Sequence, residues 1–444
     1  MNRTSTVSLL VAVFLGAPAA RAQAPEPHPI DLRQAIARAL ERSPEVVAAR
    51  AEADEATAAA RLADSTFHPE AYLTTTPGYS SGLPIQVAGQ VPSLVGLSLR
   101  KTLYDPSRRA EAFESRVRAA SSDSARERSR IEITRAVVAS YGRNWAGEAL
   151  LSSARRRLEA EEATLRRVTA LRREGRETDL AIEKASLEVA RAKQTLLDQQ
   201  SERALDLLEL KSLLDWPSGE ALVLAEEPLA ALPPPETDNR ARARSADPEL
   251  KAMAQELESV QAAVAIQEKT WRPVVEAEAR YLRLANYNNF DQYFVKFKPN
   301  DFAVGVSVAL PLWTGGRQAE MLAGSRARLE KLEAARRIRE QALDLAVRRA
   351  EAEVLHAEAA AAFAQRAEAV SREELRVARA LADEGRAEPI EIDKREIALT
   401  EAEDQTAAAR QGLLAARVQL LALTGRLPEG LLAESPGPES GSKS

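Results

Sequence analysis

Residues 302–316 read FAVGVSVALPLWTGG. Bulky apolar residues alternate with small or polar residues from Phe302 to Leu312, and a period of two residues predicts a β-strand. The pair Gly315-Gly316 follows, and a segment rich in Ala, Arg and Glu begins at Arg317. The chain is therefore expected to pass here from a strand into a helix.

The sequence of this strand occurs twice. Val304-Gly305-Val306-Ser307-Val308 repeats Val95-Gly96-Leu97-Ser98-Leu99 after 209 residues. Three further landmarks recur in the same order after 204 to 210 residues: Ser43-Pro44-Glu45 with Asp247-Pro248-Glu249, Pro69 with Pro273, and Glu174-Gly175-Arg176 with Glu384-Gly385-Arg386. Four landmarks in one order indicate an internal duplication.

The duplication predicts two repeats, 23–227 and 240–427, with a Pro-rich linker at 228–239 and a disordered tail at 428–444. Each repeat begins with a helix, at 44–67 and 247–271. Two strands come next, at 70–77 and 93–103 in the first repeat and at 274–284 and 302–312 in the second. A helix of about 65–70 residues, a Glu-Gly-Arg turn and a helix of about 37–39 residues complete each repeat.

The long helices carry apolar stripes whose members alternate three and four residues apart, as in coiled coils. In the last helix the stripe is Leu399, Ala402, Thr406, Ala409, Leu413, Ala416, Leu420 and Leu423. The matching stripe of the first repeat is Leu187, Ala190, Leu197, Ala204 and Leu208, and the longest helix of the second repeat carries Leu329, Leu332, Ala335, Ile338, Ala342 and Leu345. These stripes predict helices packed side by side in a rod.

Composition excludes several classes of protein. The 444 residues include 61 basic and 66 acidic side chains, 3 histidines and no cysteine. Without cysteine the sequence predicts no disulfide, no thiolate zinc site, no cysteine nucleophile and no cysteine-linked lipid anchor. The histidines are far apart in sequence, so neither a metal site nor a cofactor is predicted. The mildly acidic balance disfavours a nucleic-acid partner.

Residues 1–22 read as a secretory signal. Arg3 supplies the charged region, Val7 to Leu15 form the apolar stretch, and Ala20-Arg21-Ala22 is a cleavage site of the A-x-A type. We therefore expect the mature chain to begin at Gln23, outside the cytoplasm.

Gly78-Tyr79-Ser80-Ser81-Gly82 matches the G-x-S-x-G nucleophile motif of hydrolases. That motif needs a helix directly after it, whereas Leu83-Pro84 follows here. A loop between strands is the favoured interpretation, and the sequence predicts no enzyme. A secreted hydrolase that uses Ser80 remains the alternative.

The predicted strands are long enough to cross a membrane in a barrel, although a soluble sheet packed on a helix has the same pattern. Four strands are too few to close a transmembrane barrel, whose smallest members have eight. Three chains together would supply twelve strands, so a barrel would have to be shared.

The whole predicted mature chain resembles the TolC-type outer-membrane efflux proteins. The resemblance rests on the opening segment Leu32–Leu40 with Ser43-Pro44, on the strand-to-helix junction Pro311-Leu312-Trp313-Thr314-Gly315-Gly316, and on the two Gly-Arg turns. It implies a mainly α protein in which each protomer of a homotrimer gives helices to a long α-helical barrel. It also implies four strands per chain in a shared twelve-stranded transmembrane β-barrel.

The resemblance also implies locations and partners. The barrel would lie in the outer membrane lipid, the tunnel in the periplasm, and short helices near 31–41 and 238–245 with the 215–235 segment in a belt around the tunnel. The tips Glu174, Gly175, Arg176, Glu384, Gly385 and Arg386 would contact a periplasmic adaptor, also called a membrane fusion protein, which couples the duct to an inner-membrane transporter.

Members of this family often narrow the tunnel entrance with acidic residues shortly after the second tip glycine. Glu391 and Asp393 occupy that stretch, whereas Lys394 stands where a second inward acid is expected. These three residues are the candidate constriction, although a solvated helix charge remains the alternative for Glu391.

The sequence therefore predicts a passive channel of a tripartite efflux pump or of a type I secretion system. The alternative is a periplasmic coiled-coil protein, similar to an adaptor, without a pore. Neither interpretation identifies the cargo.

Overall fold

The computed structural model describes residues 29–76, 93–217, 219–233, 238–268, 272–284, 300–313, 315–386 and 388–432. The predicted signal at 1–22 and the loops at 78–92 and 285–299, including Ser80, lie outside these ranges.

The order of helices and strands is the same in the two halves of the chain. The first half contains helices α1 (Leu32–Arg42) and α2 (Pro44–Ser65), strands β1 (Glu70–Thr76) and β2 (Ser93–Tyr104), and helices α3 (Pro106–Arg173) and α4 (Asp179–Leu213). The second half contains α5 (Asn239–Ala246), α6 (Pro248–Gln267), β3 (Val274–Leu284), β4 (Asn300–Ala309), α7 (Arg317–Asp383) and α8 (Pro389–Leu423), and a short helix α9 (Glu429–Leu432) ends the described chain.

Several boundaries differ from the sequence-based prediction by a few residues, and two of the differences have a clear physical reason or consequence. The strand expected at 302–312 ends at Ala309, because Pro311 has no N–H to donate to a strand ladder. The disordered tail was expected from residue 428, but α9 follows Pro428 and its Leu431 is only 1% exposed. The folded part of the chain therefore extends at least to Leu432.

The long helices form two antiparallel hairpins. Helix α3 packs against α4, α7 packs against α8, and α3 also packs against α8, which joins the hairpins. Helix α3 has 68 residues, so at 1.5 Å per residue it is about 100 Å long. Helix α2 packs beside α3, as α4 does, and the two shorter helices share the length of the long one.

A compact core surrounds the middle of α3. It contains Leu32 and Ile36 of α1, Tyr141 of α3, and Leu210 and Leu214 at the end of α4, all fully buried. The Tyr141 hydroxyl lies 3.1 Å from the Ile30 carbonyl oxygen and 3.2 Å from the Glu226 carbonyl oxygen. This hydroxyl ties two extended segments to α3, and we call this region the belt core.

The four strands form one antiparallel sheet in the order β1-β2-β3-β4. In its register Leu97 pairs with Tyr281, and Tyr281 pairs with Phe302. Strands β1 and β4 are therefore edges, and each has one side that no strand covers among the described residues. In the same ranges, no helix is both long and apolar enough to cross a membrane.

Candidate functional site

The two hairpin tips have the same backbone geometry. Helix α3 ends before Gly175, which has a φ of 73°, and helix α7 ends before Gly385, which has a φ of 71°. The Arg176 N–H donates to the Leu171 carbonyl at 2.9 Å, and the Arg386 N–H donates to the Leu381 carbonyl at 2.8 Å. These bonds form the Schellman end of a helix, and the left-handed residue inside it is best supplied by glycine.

The first tip is closed by charged groups. Arg172 near the end of α3 donates two hydrogen bonds to the Asp179 carboxylate, at 2.7 and 3.1 Å. These bonds lower the pKa of Asp179. The Thr178 hydroxyl accepts a hydrogen bond from the Ala181 N–H at 3.2 Å and caps α4. An exposed turn thus has a defined shape and presents Glu174 and Arg176 to solvent.

At the second tip, other residues join the two helices of the hairpin. Glu388 does not cap α8 with its side chain, and Pro389 begins the helix instead. Across the hairpin, Arg379 of α7 contacts Glu396 at 2.7 Å, and Arg395 of α8 contacts Glu374 at 2.9 Å. The tips are therefore alike in backbone and different in side-chain chemistry.

The structure separates the three residues of the predicted constriction. Glu391 lies 3.7 Å from Lys394 and 3.1 Å from Arg395, so basic groups neighbour its charge. Asp393 points instead toward α3, is 7% exposed, and lies 3.0 Å from Arg167. Burial raises the pKa of Asp393, although Arg167 and Arg166 oppose that rise. The three side chains do not form one acidic surface, and their role at an entrance remains a prediction.

The junction between β4 and α7 is built by two glycines. Gly315 and Gly316 have φ values of 63° and 83°, and a Cβ on either would meet open space. Their backbone conformation, not crowding, is therefore what favours glycine here. Pro311 precedes the turn, and Leu312 and Trp313 are each 89% exposed. Two large apolar side chains at such exposure indicate a surface that another molecule or a lipid phase covers.

The sheet has one apolar and one polar face, as the alternation predicts. The apolar residues of β4 are between 62% and 71% exposed: Phe302, Val304, Val306 and Val308. On the opposite face the register places Arg100 beside Glu278 and Ser98 beside Arg280. An apolar face left open to solvent over the whole strand has no partner within the described chain.

The apolar stripes of the helices differ in exposure: the stripe of α8 is buried, whereas that of α4 is exposed. In α8, Leu399, Ala402, Leu413, Ala416 and Leu420 are 4–6% exposed because they pack within the chain. In α4, Leu187 is 50% exposed and Leu197 and Leu208 are each 62% exposed, while the buried face of this helix is Ala185, Val189 and Ala192. Helix α7 has exposed apolar residues too: Ile338, Leu345, Leu355, Phe363, Val370 and Val377.

The family model described as outer membrane efflux protein matches residues 35–215 and 240–426. The chain belongs to the outer membrane efflux protein family. The two matched segments correspond to the two halves of the fold, and the gap between them contains part of the segment that leads from α4 to α5.

Solved structures show the same fold at low sequence identity. The CusC structure has a TM-score of 0.71 and 17% identity, and the match covers 89% of this chain and 92% of that chain. The MtrE outer membrane channel of Neisseria gonorrhoeae has a TM-score of 0.67 and 18% identity, with 89% and 88% covered. The outer membrane protein VceC of Vibrio cholerae has a TM-score of 0.63 and 18% identity, with 89% and 96% covered. No curated protein matches the chain.

Membership of the outer membrane efflux protein family confirms the predicted fold class and the resemblance stated from the sequence. The family and the fold are those of outer-membrane channels and not of enzymes. The sequence pattern gave no sign that Asp393 faces α3 or that Tyr141 holds the belt core, because each contact joins segments far apart in the chain.

Proposed function

We propose that three copies of this chain form a passive channel through the outer membrane. The channel would carry cargo from the periplasm to the exterior for an inner-membrane transporter, in a tripartite efflux pump or in type I secretion. The family and the fold support the channel class, and they leave the cargo open.

The single observation that carries the proposal is the set of apolar surfaces that one chain leaves uncovered. The stripe on α4, the exposed apolar residues of α7 from Ile338 to Val377 and the apolar face of the sheet are uncovered together. At about 25 cal/mol per Å² of apolar surface, exposure of this extent would be costly for a protein that works as a monomer. Association with further copies and with lipid would remove these surfaces from water.

The two outer sides of the chain, with α4 and β1 on one and α7 and β4 on the other, suit a closed ring of identical copies. Helix α4 lies at one side of the hairpin pair and α7 at the other, since α3 and α8 form the contact between them. Helix α4 of one copy would pack against α7 of the next, and β1 would pair with β4 of a neighbour. Such head-to-tail contacts close into a ring when the rotation is right, and three copies would supply enough strands for a barrel.

In this assembly the helical hairpins point into the periplasm and their tips meet the adaptor. Glu174, Gly175, Arg176, Glu384, Gly385 and Arg386 are the proposed contact residues, supported by the matched and exposed geometry of the tips. Glu391 and Lys394 are proposed to lie near the entrance. Their mixed charge favours an entrance that binds cations weakly.

Cell fractionation tests the proposal against its alternative. We expect the chain in the outer-membrane fraction and, after mild detergent extraction, a mass of three chains plus detergent. A chain recovered as a monomer in the soluble periplasm would contradict the channel and favour an adaptor-like protein.

A further inference from the structure

The two hairpins meet along a surface that we call the α3–α8 seam. It consists of Ser153, Arg156, Arg157, Glu161, Thr164 and Arg167 from α3 and of Asp393, Glu396, Thr400, Glu401, Glu403 and Asp404 from α8. The Ser153 hydroxyl donates to the Thr400 carbonyl at 3.2 Å, which shows how closely the helices approach. The seam connects the two tips, so its packing sets how far apart the tips lie.

Acidic side chains enter this seam from both helices. Glu161 of α3 and Asp393 of α8 are each 7% exposed. Glu161 faces Glu188 of α4 and Glu401 of α8, with Arg157 as the nearby cation. A carboxylate that is removed from water beside other carboxylates is costly in its charged form.

The surroundings of Asp393 are incompletely satisfied. It faces Arg167, Arg166 and Thr164 of α3 and Glu396 of its own helix. Although Arg167 Nη1 lies 3.0 Å from Asp393 Oδ2, these two atoms and Thr164 Oγ1 are buried without a well-directed hydrogen bond. The cost of burying the Asp393 carboxylate is therefore offset mainly by its ion pair with Arg167.

Asp404 is the third carboxyl group of the seam, beside Glu161 and Asp393, that burial affects. Ser153 and Arg157 face it from α3, and Glu401 and Glu403 flank it on α8. Burial raises the pKa of Glu161, of Asp393 and of Asp404, and among the described residues these are the carboxyl groups whose pKa is clearly raised. The remaining seam acids face cations: Arg156 contacts Glu403 and lies 3.6 Å from Glu396, and Arg157 lies 3.0 Å from Glu401.

We propose that the α3–α8 seam is a proton-responsive joint, which acidification of the periplasm packs more tightly and neutral pH loosens. The joint would regulate how the two tips are presented to a partner, and this consequence rests on the proposed function. The joint itself concerns only the packing of two helices within one chain.

The direction follows from linkage. A carboxyl group whose pKa is raised in the packed seam binds its proton more tightly there than in an open, hydrated seam. Packing is therefore penalised above the raised pKa, and the penalty disappears as the pH falls toward about 4, the ordinary pKa of an acidic side chain. Protonation also weakens the attraction of Arg167 for Asp393, but burial remains the larger influence on this carboxyl group.

The absence of native cysteine allows a clean test in the full-length protein. Thr400→Cys places one thiol in the seam, and Thr134→Cys places a matched thiol in the belt core. Both threonines are 0% exposed, and each hydroxyl donates to a carbonyl of its own helix. A dithiopyridine labels each introduced thiol as its surroundings open. The labelling rate of the Thr400→Cys protein, divided by that of the Thr134→Cys protein, reports opening of the seam and cancels thiol ionisation.

We expect this ratio to fall at least about threefold as the pH is lowered from about 7.5 to about 4, because protonation of these carboxyl groups removes the penalty on packing. In the background Glu161→Gln, Asp393→Asn, Asp404→Asn we expect a low ratio at both pH values. If the triple variant fails to fold, Glu161→Gln with Asp404→Asn leaves the Arg167 pair intact and should reduce the response. A ratio that ignores pH, or a response that survives the substitutions, would overturn the inference. The channel proposal is judged separately by conductance, so either can fail alone.

Discussion

At the scale of single residues, Gly175 and Gly385 have the same structural role, which is to end a long helix at the hairpin turn of each half of the chain. Each takes the left-handed backbone region directly after a helix of nearly equal length. A residue with a Cβ costs roughly 1–2 kcal/mol in that region. Glycine is required at both positions by the backbone conformation and not by crowding, since a Cβ at either position meets nothing within 4 Å.

This requirement predicts that Gly385→Ala loosens the second tip. A cost of about 1 kcal/mol should raise local opening about fivefold, and trypsin should cleave faster at Arg386 and Arg379. Gly412→Ala is the control, since Gly412 lies inside α8 with open space around it. Alanine there should stabilise the helix by about 0.5–1 kcal/mol. Equal cleavage of both variants would contradict the role given to Gly385.

Tyr141 is the residue that holds the belt core together. Its hydroxyl faces the Ile30 and Glu226 carbonyls in a fully buried position. Tyr141→Phe removes a donor from buried acceptors, which costs about 1–3 kcal/mol. We expect hydrogen exchange at the Ala225 amide, bonded to Ile30 at 3.0 Å, to accelerate about tenfold. Tyr104→Phe, at a half-buried tyrosine outside the belt core, should leave that amide unchanged.

At the scale of elements, the apolar stripes show what sequence can and cannot predict. Period alone predicted the helices of α4 and α8 and their stripes, and both helices are present. It could not tell that Leu413 packs inside the chain while Leu197 stays 62% exposed. The two stripes have the same spacing, and their fate depends on which helices lie beside them. The same limit applies to Asp393: the sequence made it a candidate entrance residue and could not tell that its side chain faces α3. Its role at an entrance stays a prediction.

The exposed stripe on α4 predicts a variant that folds and does not assemble. Leu197→Glu puts a charge into the surface proposed to meet α7 of the next copy, where burial of an unpaired charge costs several kcal/mol. We expect monomers of normal helix content by circular dichroism and size-exclusion chromatography. Thr195→Glu is the control, because Thr195 is exposed on a different side of α4. A Leu197→Glu protein that still forms trimers would place the contact elsewhere.

At the scale of the whole molecule, one chain leaves several of its apolar and hydrogen-bonding surfaces without a partner among the described residues. Its sheet has two open edges, its long helices leave apolar stripes uncovered, and its tips are ready-made turns with exposed charges. The duplication in the sequence predicted the two hairpins and the four strands. It gave no information on how copies meet, because that contact depends on surfaces that have no counterpart within the chain.

Electrical recording from a planar lipid bilayer tests the central claim most directly. The purified trimer should insert and conduct in discrete steps, and Leu197→Glu protein at the same concentration should give none. A second preparation with both tips loosened, by Gly175→Ala and Gly385→Ala, should conduct at least as well, since the tips are proposed to lie at the entrance. Conductance steps in the native protein are the result we predict. Trimers that insert and never conduct, with native or loosened tips, would contradict the account.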